Sequence, residues 1–135
     1  MKQGAKTTVL FADVSGSTRL YESAGDAVAQ AAIEKCISLF KEITRVSGGR
    51  VIQTIGDEVL SVFSDASAAA DAAIEMQAAI EELPPIADSK IGVRIGFHYG
   101  PVVKRHGDIF GDTVNLAARL VGLAVRRRAA RCGGV

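Results

Sequence analysis

The sequence predicts an α+β domain built on a ferredoxin-like antiparallel sheet, with helices on one face of that sheet. The main observation is the spacing of apolar residues, which predicts elements in the order strand, helix, strand, strand, helix, strand. This is the split βαβ order. Right-handed crossovers between such elements place the third strand beside the first. The length of 135 residues fits one domain, and no repeat or linker divides the chain.

The first half of this pattern begins with the β-rich run TTVLFAD at Thr7–Asp13, which predicts a strand. The small polar residues Ser15–Thr18 then predict a turn that leads into a helix. Across Asp26–Val46, apolar residues recur every three or four positions, so we expect an amphipathic helix there. Gly48 and Gly49 follow, and glycine readily adopts the left-handed conformation that ends helices.

The second half starts with two short apolar runs, Val51–Ile55 and Val59–Phe63, which predict the two strands of a hairpin. The turn of that hairpin consists of Gly56–Glu58. Ser64 or Asp65 then supplies a side-chain oxygen that can cap the next helix. A pair of prolines ends this helix.

The last elements are a strand and a helix. Apolar residues alternate strictly across Ile91–Gly100, which is typical of a half-buried strand. A loop is expected around His106–Asp108, and a helix from near Asp112 to about Ala124. Residues 125–135 show no strand pattern.

Composition and charge exclude several classes of protein. The chain is 48% hydrophobic and 23% charged, as in a soluble globular domain. No apolar run approaches the roughly 20 residues that cross a bilayer, and Met1–Lys6 is polar, so we expect no membrane contact and a cytoplasmic location. Two cysteines are too few for a disulfide framework.

Charge is concentrated at the end of the chain. The last ten residues contain four arginines and no acid, so the overall charge of +1 leaves residues 1–125 with −3. A nucleic-acid binder carries positive charge over a folded face, so no nucleic-acid partner is expected. We therefore expect an N-terminal tail at 1–6, one domain at 7–124 and a basic tail at 125–135.

Two aspartates follow apolar runs whose ends the predicted topology brings together. Asp13 closes the first strand, and Asp57 lies in the turn of the hairpin. Because the third strand lies beside the first, we expect both carboxylates at one edge of the sheet. Carboxylate oxygens suit Mg²⁺ or Mn²⁺, so one interpretation is a divalent metal site. The other is that both aspartates only form turns, in which this residue is common.

A short polar segment directly follows Asp13. Ser15, Gly16, Ser17 and Thr18 lie at the predicted start of a helix, where backbone N–H groups and the helix dipole favour phosphate oxygens. A metal site beside a phosphate-binding turn indicates a nucleoside triphosphate as the ligand.

A second polar constellation lies in the last helix. Asn115 and Arg119 are four residues apart and share one helix face. An amide and a fixed cation on one face can position a sugar and stabilise a phosphoryl transition state. An ordinary solvated face is the alternative interpretation.

Four segments together resemble the class III adenylate/guanylate cyclase catalytic domain. They are FADVSGSTRL, QTIGDEVLSVF, RIGFHYGPVV and DIFGDTVNLAARL, in the order and spacing of that family, and the resemblance covers about residues 7–124. It implies the nucleotide cyclase fold and a domain that is incomplete at its C-terminal end. It also implies conversion of ATP or GTP to the 3′,5′-cyclic nucleotide and pyrophosphate in intracellular signal transduction.

The resemblance also implies roles for individual residues. Asp13 and Asp57 correspond to the metal-binding aspartates of the family, which hold two Mg²⁺ or Mn²⁺ ions per site. Asp108 corresponds to the base-recognising aspartate, and Asn115 and Arg119 to the transition-state pair. The family further implies a head-to-tail homodimer, in which one chain supplies the two metal ligands and the other chain supplies the remaining three residues.

The sequence departs from the family at two places. Gln53 stands where the family usually has a base-recognising lysine. Its amide can donate to N1 of adenine while Asp108 accepts from the adenine amine, which favours ATP; the amide can also flip and accept, so GTP stays open. In addition, the chain stops before further strands of the family, one of which carries a triphosphate-binding lysine, so we expect impaired activity.

Two other functions stay open at this point. A cyclase-like module that is weak or inactive as a catalyst would only dimerise or bind a nucleotide. A palm-type nucleotidyl transferase, such as a diguanylate cyclase, would share the fold and the metal carboxylates, but Ile55–Glu58 is a poor match to its hairpin motif. Measurement of cyclic nucleotide formed from ATP with Mn²⁺ distinguishes the cyclase from the inactive module.

Overall fold

The structure is a computed structural model that describes residues 5–123 and 129–131. Seven strands and four helices make up this part of the chain. In chain order they are β1 Lys6–Ser15, α1 Ser17–Ala24, α2 Asp26–Val46, β2 Arg50–Ile55, β3 Glu58–Phe63, α3 Ala66–Glu81, β4 Gly92–Pro101, β5 Val103–Arg105, β6 Asp108–Phe110, α4 Asp112–Leu123 and β7 Ala129–Arg131.

The central sheet has the strand order β2–β3–β1–β4–β7. Its first four strands are antiparallel, with β1 between β3 and β4, so the predicted ferredoxin-like order is confirmed. The predicted helix at Asp26–Val46 is confirmed as α2. Of the two predicted caps of α3, Ser64 and Asp65, the structure uses Asp65, whose side chain accepts a hydrogen bond from the Ala68 N–H at 2.8 Å.

The expectation that no strand follows the last helix is wrong for three residues. Ala129–Arg131 form β7, which pairs in parallel with β4. Parallel pairing to an existing sheet needs only backbone groups, and a three-residue strand is too short to show an apolar period. Residues 1–4 of the expected N-terminal tail, and residues 124–128 and 132–135 near the C-terminus, lie outside the described residues.

One face of the sheet is covered by α1, α2 and α3. Alternate side chains of β1 point to this face, since successive residues of a strand face opposite ways. Leu10, Ala12 and Val14 are buried there against Phe40 of α2 and Met76 of α3. None of the helices in the described ranges has the length and apolar character needed to cross a membrane.

The other face carries α4, which differs from the expectation that all helices share one face. Val9 and Phe11 of β1 are buried on this side together with Ala117 and Val121 of α4. Gly96 of β4 permits this packing: a Cβ atom at that position would lie 2.5 Å from the Val121 backbone nitrogen. The second sheet face is therefore partly covered within one chain, without a partner.

A small hairpin replaces the loop expected around His106–Asp108. β5 and β6 pair in antiparallel fashion, and Val102 and Ile109 pack beneath them into the second core. His106 and Gly107 form the turn with φ values of 54° and 80°. Positive φ at both central residues matches the twist of a two-residue hairpin, which explains why so short a ribbon closes here.

The close approach of α4 to β4 yields a stability prediction. We expect Gly96→Ala to destabilise the fold by about 1–3 kcal/mol, because the added methyl group meets helix backbone that cannot rotate away. Gly100→Ala is the comparison variant and should cost less, because its methyl group displaces one side-chain hydroxyl, that of Thr113, and its hydrogen bond to the Pro101 carbonyl oxygen, but no helix backbone. Urea unfolding measures both, and equal midpoints for the two variants would contradict the described packing.

Candidate active site

An open cleft of about 660 Å³ lies where β1 ends beside the turn of the β2–β3 hairpin. Both predicted metal ligands and the whole predicted phosphate-binding turn line this cleft. Its polar lining consists of Asp13, Ser15, Gly16, Ser17, Thr18, Arg19, Glu22, Asp57 and Arg94. The structure thus brings together residues that the sequence separates widely.

Strand register explains why the two aspartates meet. Asp13 lies opposite Glu58 of β3 on one side and Arg94 of β4 on the other. The Val14 N–H donates a hydrogen bond to the Asp57 carbonyl oxygen at 3.1 Å, which extends the β1–β3 ladder into the hairpin turn. The carboxylates of residues 13 and 57 therefore lie at one sheet edge, as predicted.

The charges at this edge are not balanced by the chain itself. Burial raises the pKa of the Asp13 carboxyl above its usual range; Arg94 opposes this shift and Asp57 adds to it. Burial also raises the pKa of Glu58, and the nearby Asp13 carboxylate raises it further. A cation bound between the aspartates would relieve both effects.

The donor set fits a hard divalent cation. Within the described residues, no group of three or more His, Cys, Asp or Glu side chains is arranged to hold a metal ion. The two aspartates that line the cleft would leave coordination positions for water and phosphate oxygens, which is how Mg²⁺ is usually bound beside a nucleotide.

The start of α1 is shaped to accept an anion. Gly16 has φ 89°, a left-handed conformation that turns the chain sharply from β1 into α1. The Leu20 N–H donates to the Gly16 carbonyl oxygen, so the preceding N–H groups at the helix start have no partner within α1. The Ser15 side chain is only 4% exposed, and its Oγ has no hydrogen-bond partner.

The predicted base-recognising residues touch each other. Gln53 Nε2 donates hydrogen bonds to the two carboxylate oxygens of Asp108 at 3.2 and 3.4 Å. The Ile109 N–H donates to Asp108 Oδ1 at 2.8 Å, which holds the carboxylate in place. A register shift of β2 between Val51 and Gln53 lies directly before the glutamine, and such bulges re-aim the side chains that follow.

Asn115 and Arg119 lie elsewhere, both exposed on α4. Neither they nor Gln53 and Asp108 line the cleft that contains Asp13. The predicted site residues thus fall into three groups within one chain: the cleft, the Gln53–Asp108 pair, and the exposed pair on α4.

Arg94 and Arg19 line the cleft although the sequence did not single them out. A signal for Arg94 was available, because the strict alternation of β4 places it on the face opposite Val93 and Ile95. Its position opposite Asp13 depends on strand register, which only the structure supplies. Nothing in the sequence pattern distinguishes Arg19 from an ordinary surface residue.

The fold and the cleft define a class of nucleotide-binding domain, and comparison with known proteins identifies its family. The sequence matches the family described as the adenylate and guanylate cyclase catalytic domain over residues 1–130. The chain therefore belongs to the adenylate and guanylate cyclase catalytic domain family.

Similar proteins and structures agree with this membership. An adenylate cyclase from Streptomyces coelicolor is 36% identical over 122 residues, which is 88% of this chain and 30% of that protein. The structure of an adenylate/guanylate cyclase/hydrolase from Silicibacter pomeroyi has a TM-score of 0.77 at 33% identity, covering 96% of this chain and 75% of that one. A dimeric guanylyl cyclase domain of the RhoGC fusion protein from Blastocladiella emersonii shares the fold, with a TM-score of 0.82 at 24% identity over 96% of this chain and 80% of that one.

The raised pKa of Asp13 yields a pH-dependent stability prediction. The folded protein binds a proton at Asp13 more tightly than the unfolded chain does. The contribution of protonated Asp13 to the free energy of unfolding is therefore complete below the ordinary aspartate pKa of about 3.9. It is lost as the pH rises through the pKa of the folded protein. Without divalent cations, Asp13→Asn should therefore melt above the parent at pH 7 but not at pH 3.5. Thermal unfolding in a chelator measures this, and a variant less stable than the parent at pH 7 would contradict it.

Proposed function

We propose that this chain is the catalytic domain of a nucleotide cyclase that converts ATP to the 3′,5′-cyclic nucleotide and pyrophosphate in signal transduction. One observation carries the proposal: two carboxylates that fit a divalent cation and a helix start that fits phosphate share one cleft. In the reaction, the ribose 3′-hydroxyl gives its proton to solvent water and its oxygen forms a bond to the α-phosphorus, while the bond from that phosphorus to the oxygen bridging to the β-phosphate breaks. Pyrophosphate leaves with the electron pair of that bond.

Residues of the cleft hold the triphosphate. The N–H groups that begin α1 donate to phosphate oxygens, since they have no partner within α1. Arg94 of β4, which also lines the cleft, adds a cation. Asp13 and Asp57 hold Mg²⁺ or Mn²⁺, two ions per site. When bound, these ions stabilise charge on the attacking and leaving oxygens.

A second copy of the chain completes the site in this proposal. Asn115 and Arg119 are exposed on α4 and do not line the cleft of their own chain. In a head-to-tail homodimer, one chain contributes Asp13 and Asp57 while its partner contributes the base-recognising pair and the α4 residues. Asn115 then orients the ribose so that the 3′-oxygen stays in line, and Arg119 neutralises charge on the reacting phosphate.

The contact between Gln53 and Asp108 supports ATP over GTP. An ionised carboxylate only accepts hydrogen bonds, so it holds the amide with its NH₂ group toward Asp108. The second N–H of that group is then available to adenine N1, while Asp108 accepts from the adenine amine. Guanine instead presents O6 where adenine has its amine, and N1–H where adenine has the acceptor N1. To accept from N1–H, the Gln53 amide would have to flip. The flip would break its hydrogen bonds to Asp108 and turn its oxygen toward the carboxylate.

A complementation experiment tests the shared site and the activity together. We expect Asp57→Ala and Arg119→Ala to be inactive alone, each with a defect in both sites of its homodimer. An equal mixture should recover about a quarter of the parent rate, since half of randomly formed dimers are mixed and each holds one intact site of two. Cyclic nucleotide is measured with Mn²⁺ and ATP.

Two controls make that result decisive. Heterodimer formation is verified with two affinity tags, and the Arg45→Ala variant, altered on the outer surface of α2, should keep the parent rate. An inactive mixture that contains heterodimers would contradict the shared site. A parent chain with no product under any metal would contradict the activity itself and leave a module that only binds or dimerises.

A second experiment tests base selection. Asp108→Asn removes the charge that orients the Gln53 amide, so discrimination between ATP and GTP should fall by about 10- to 150-fold, the value of one charge-assisted hydrogen bond. Gln53→Lys is the matched control, because an ammonium group only donates and should keep the preference for ATP. The readout is kcat/KM for each nucleotide, and an unchanged ratio in Asp108→Asn would refute the proposed orientation.

A further inference from the structure

We propose that Arg19 binds the terminal phosphates of the bound triphosphate and then the pyrophosphate product. The inference deepens the proposed function and rests on it for the identity of the anion. It concerns a residue outside the predicted metal, base and transition-state groups.

The position of Arg19 is the first argument. It is the third residue of α1 and lines the cleft together with Asp13, Asp57 and the Ser15–Thr18 turn. Its side chain is exposed, and within the described part of the chain it forms no salt bridge. The guanidinium group is therefore available to a ligand that enters this cleft.

The electrostatics of α1 are the second argument. A helix N-terminus carries partial positive charge, so an acidic residue in the first turn is favourable and a basic one is unfavourable. α2 and α4 follow this rule with Asp26 and Asp112, whereas α1 has no acidic residue in its first turn and has Arg19 there instead. A bound anion makes this arrangement favourable, because the helix start and the guanidinium group then both attract the same ligand instead of only repelling each other.

The first N–H groups of α1 offer donors to the same anion. The Leu20 N–H donates to the Gly16 carbonyl oxygen, so the N–H groups before it have no partner within α1. Phosphate oxygens in the cleft accept from these N–H groups and from Arg19 together.

Arg19 and Arg94 act from different elements of the cleft. Arg94 projects from β4 and lies opposite Asp13, beside the proposed metal ligands. Arg19 lies in the first turn of α1 and lines the same cleft from that helix. Glu22, one helical turn after Arg19, also lines the cleft and opposes anion binding, so its removal should have the opposite effect.

Binding of inorganic pyrophosphate in the presence of Mg²⁺ tests the inference without requiring catalysis. Titration calorimetry on the full 135-residue chain compares the parent with four variants. We expect Arg19→Gln to weaken binding by about tenfold, the lower end for a charge-assisted contact because the side chain is exposed. Arg19→Lys should retain part of the affinity, since lysine keeps the charge but not the planar fork.

Two further variants control for general charge effects. Glu22→Gln should bind pyrophosphate as tightly as the parent or more tightly. Arg45→Gln removes a positive charge from α2, remote in the sequence from the cleft lining, and should bind like the parent. The loss in Arg19→Gln should shrink as salt is raised, because surface charges are screened.

Enzyme kinetics and thermal unfolding distinguish a phosphate-binding role of Arg19 from a purely structural role. For Arg19→Gln, the KM for ATP and the inhibition constant of pyrophosphate should rise by the same factor, with little change in kcat. The variant should melt at or above the parent temperature without ligand, because an unfavourable charge at a helix start has been removed.

The outcomes separate this inference from the function on which it rests. Pyrophosphate affinity equal to the parent in Arg19→Gln, or an equal loss in Arg45→Gln, would overturn the role of Arg19 even if the chain makes cyclic nucleotide. Pyrophosphate binding that depends on Arg19 in a chain that makes no cyclic nucleotide would support the phosphate site and overturn the proposed reaction.

Discussion

The register of β1 between β3 and β4 is the constraint on which the rest of this domain depends. Leu10, Ala12 and Val14 must face α2 and α3 to be buried, so the residues between them face the other side. That requirement alone places Asp13 on the side away from the main core, between Glu58 and Arg94. A slip of one residue would turn Asp13 into the main apolar core and move Leu10, Ala12 and Val14 to the face of the sheet that α4 partly covers.

The same register concentrates like charges at one sheet edge, which favours ligand binding at the expense of stability. Burial raises the pKa of Asp13 and Asp57 adds to that shift; burial also raises the pKa of Glu58, and Asp13 adds to it. The apolar cores on both faces of the sheet hold these carboxylates close together, although their desolvation and mutual repulsion are unfavourable when they are ionised. A cation between the aspartates and an anion at the start of α1 then satisfy charges that the chain leaves unpaired.

Helix α4 connects the fold to the proposed dimer. Gly96 lets its backbone approach β4 closely, and its apolar stripe, including Ala117 and Val121, packs onto the sheet. Its polar stripe, which carries Asn115 and Arg119, is therefore exposed and available to the cleft of a second copy. The hydrogen bonds from Gln53 to Asp108 join β2 to β6, so this pair is held in place separately from the two exposed residues of α4.

Periodicity and turn chemistry in the sequence determined the order of the main elements, the order of the four antiparallel strands, a cap at Ser64 or Asp65 and the meeting of Asp13 with Asp57. These follow from local rules, since alternation identifies strands, 3–4 spacing identifies helices, and crossovers have one hand. Tertiary structure alone decided that α4 lies on the second face, because a missing Cβ at Gly96 matters only once a helix lies over it. It also decided that Gln53 contacts Asp108 and that Arg19 lines the cleft. Such side-chain contacts depend on bulges, turns and packing between distant segments of the chain. The spacing of residues along the sequence does not encode these features.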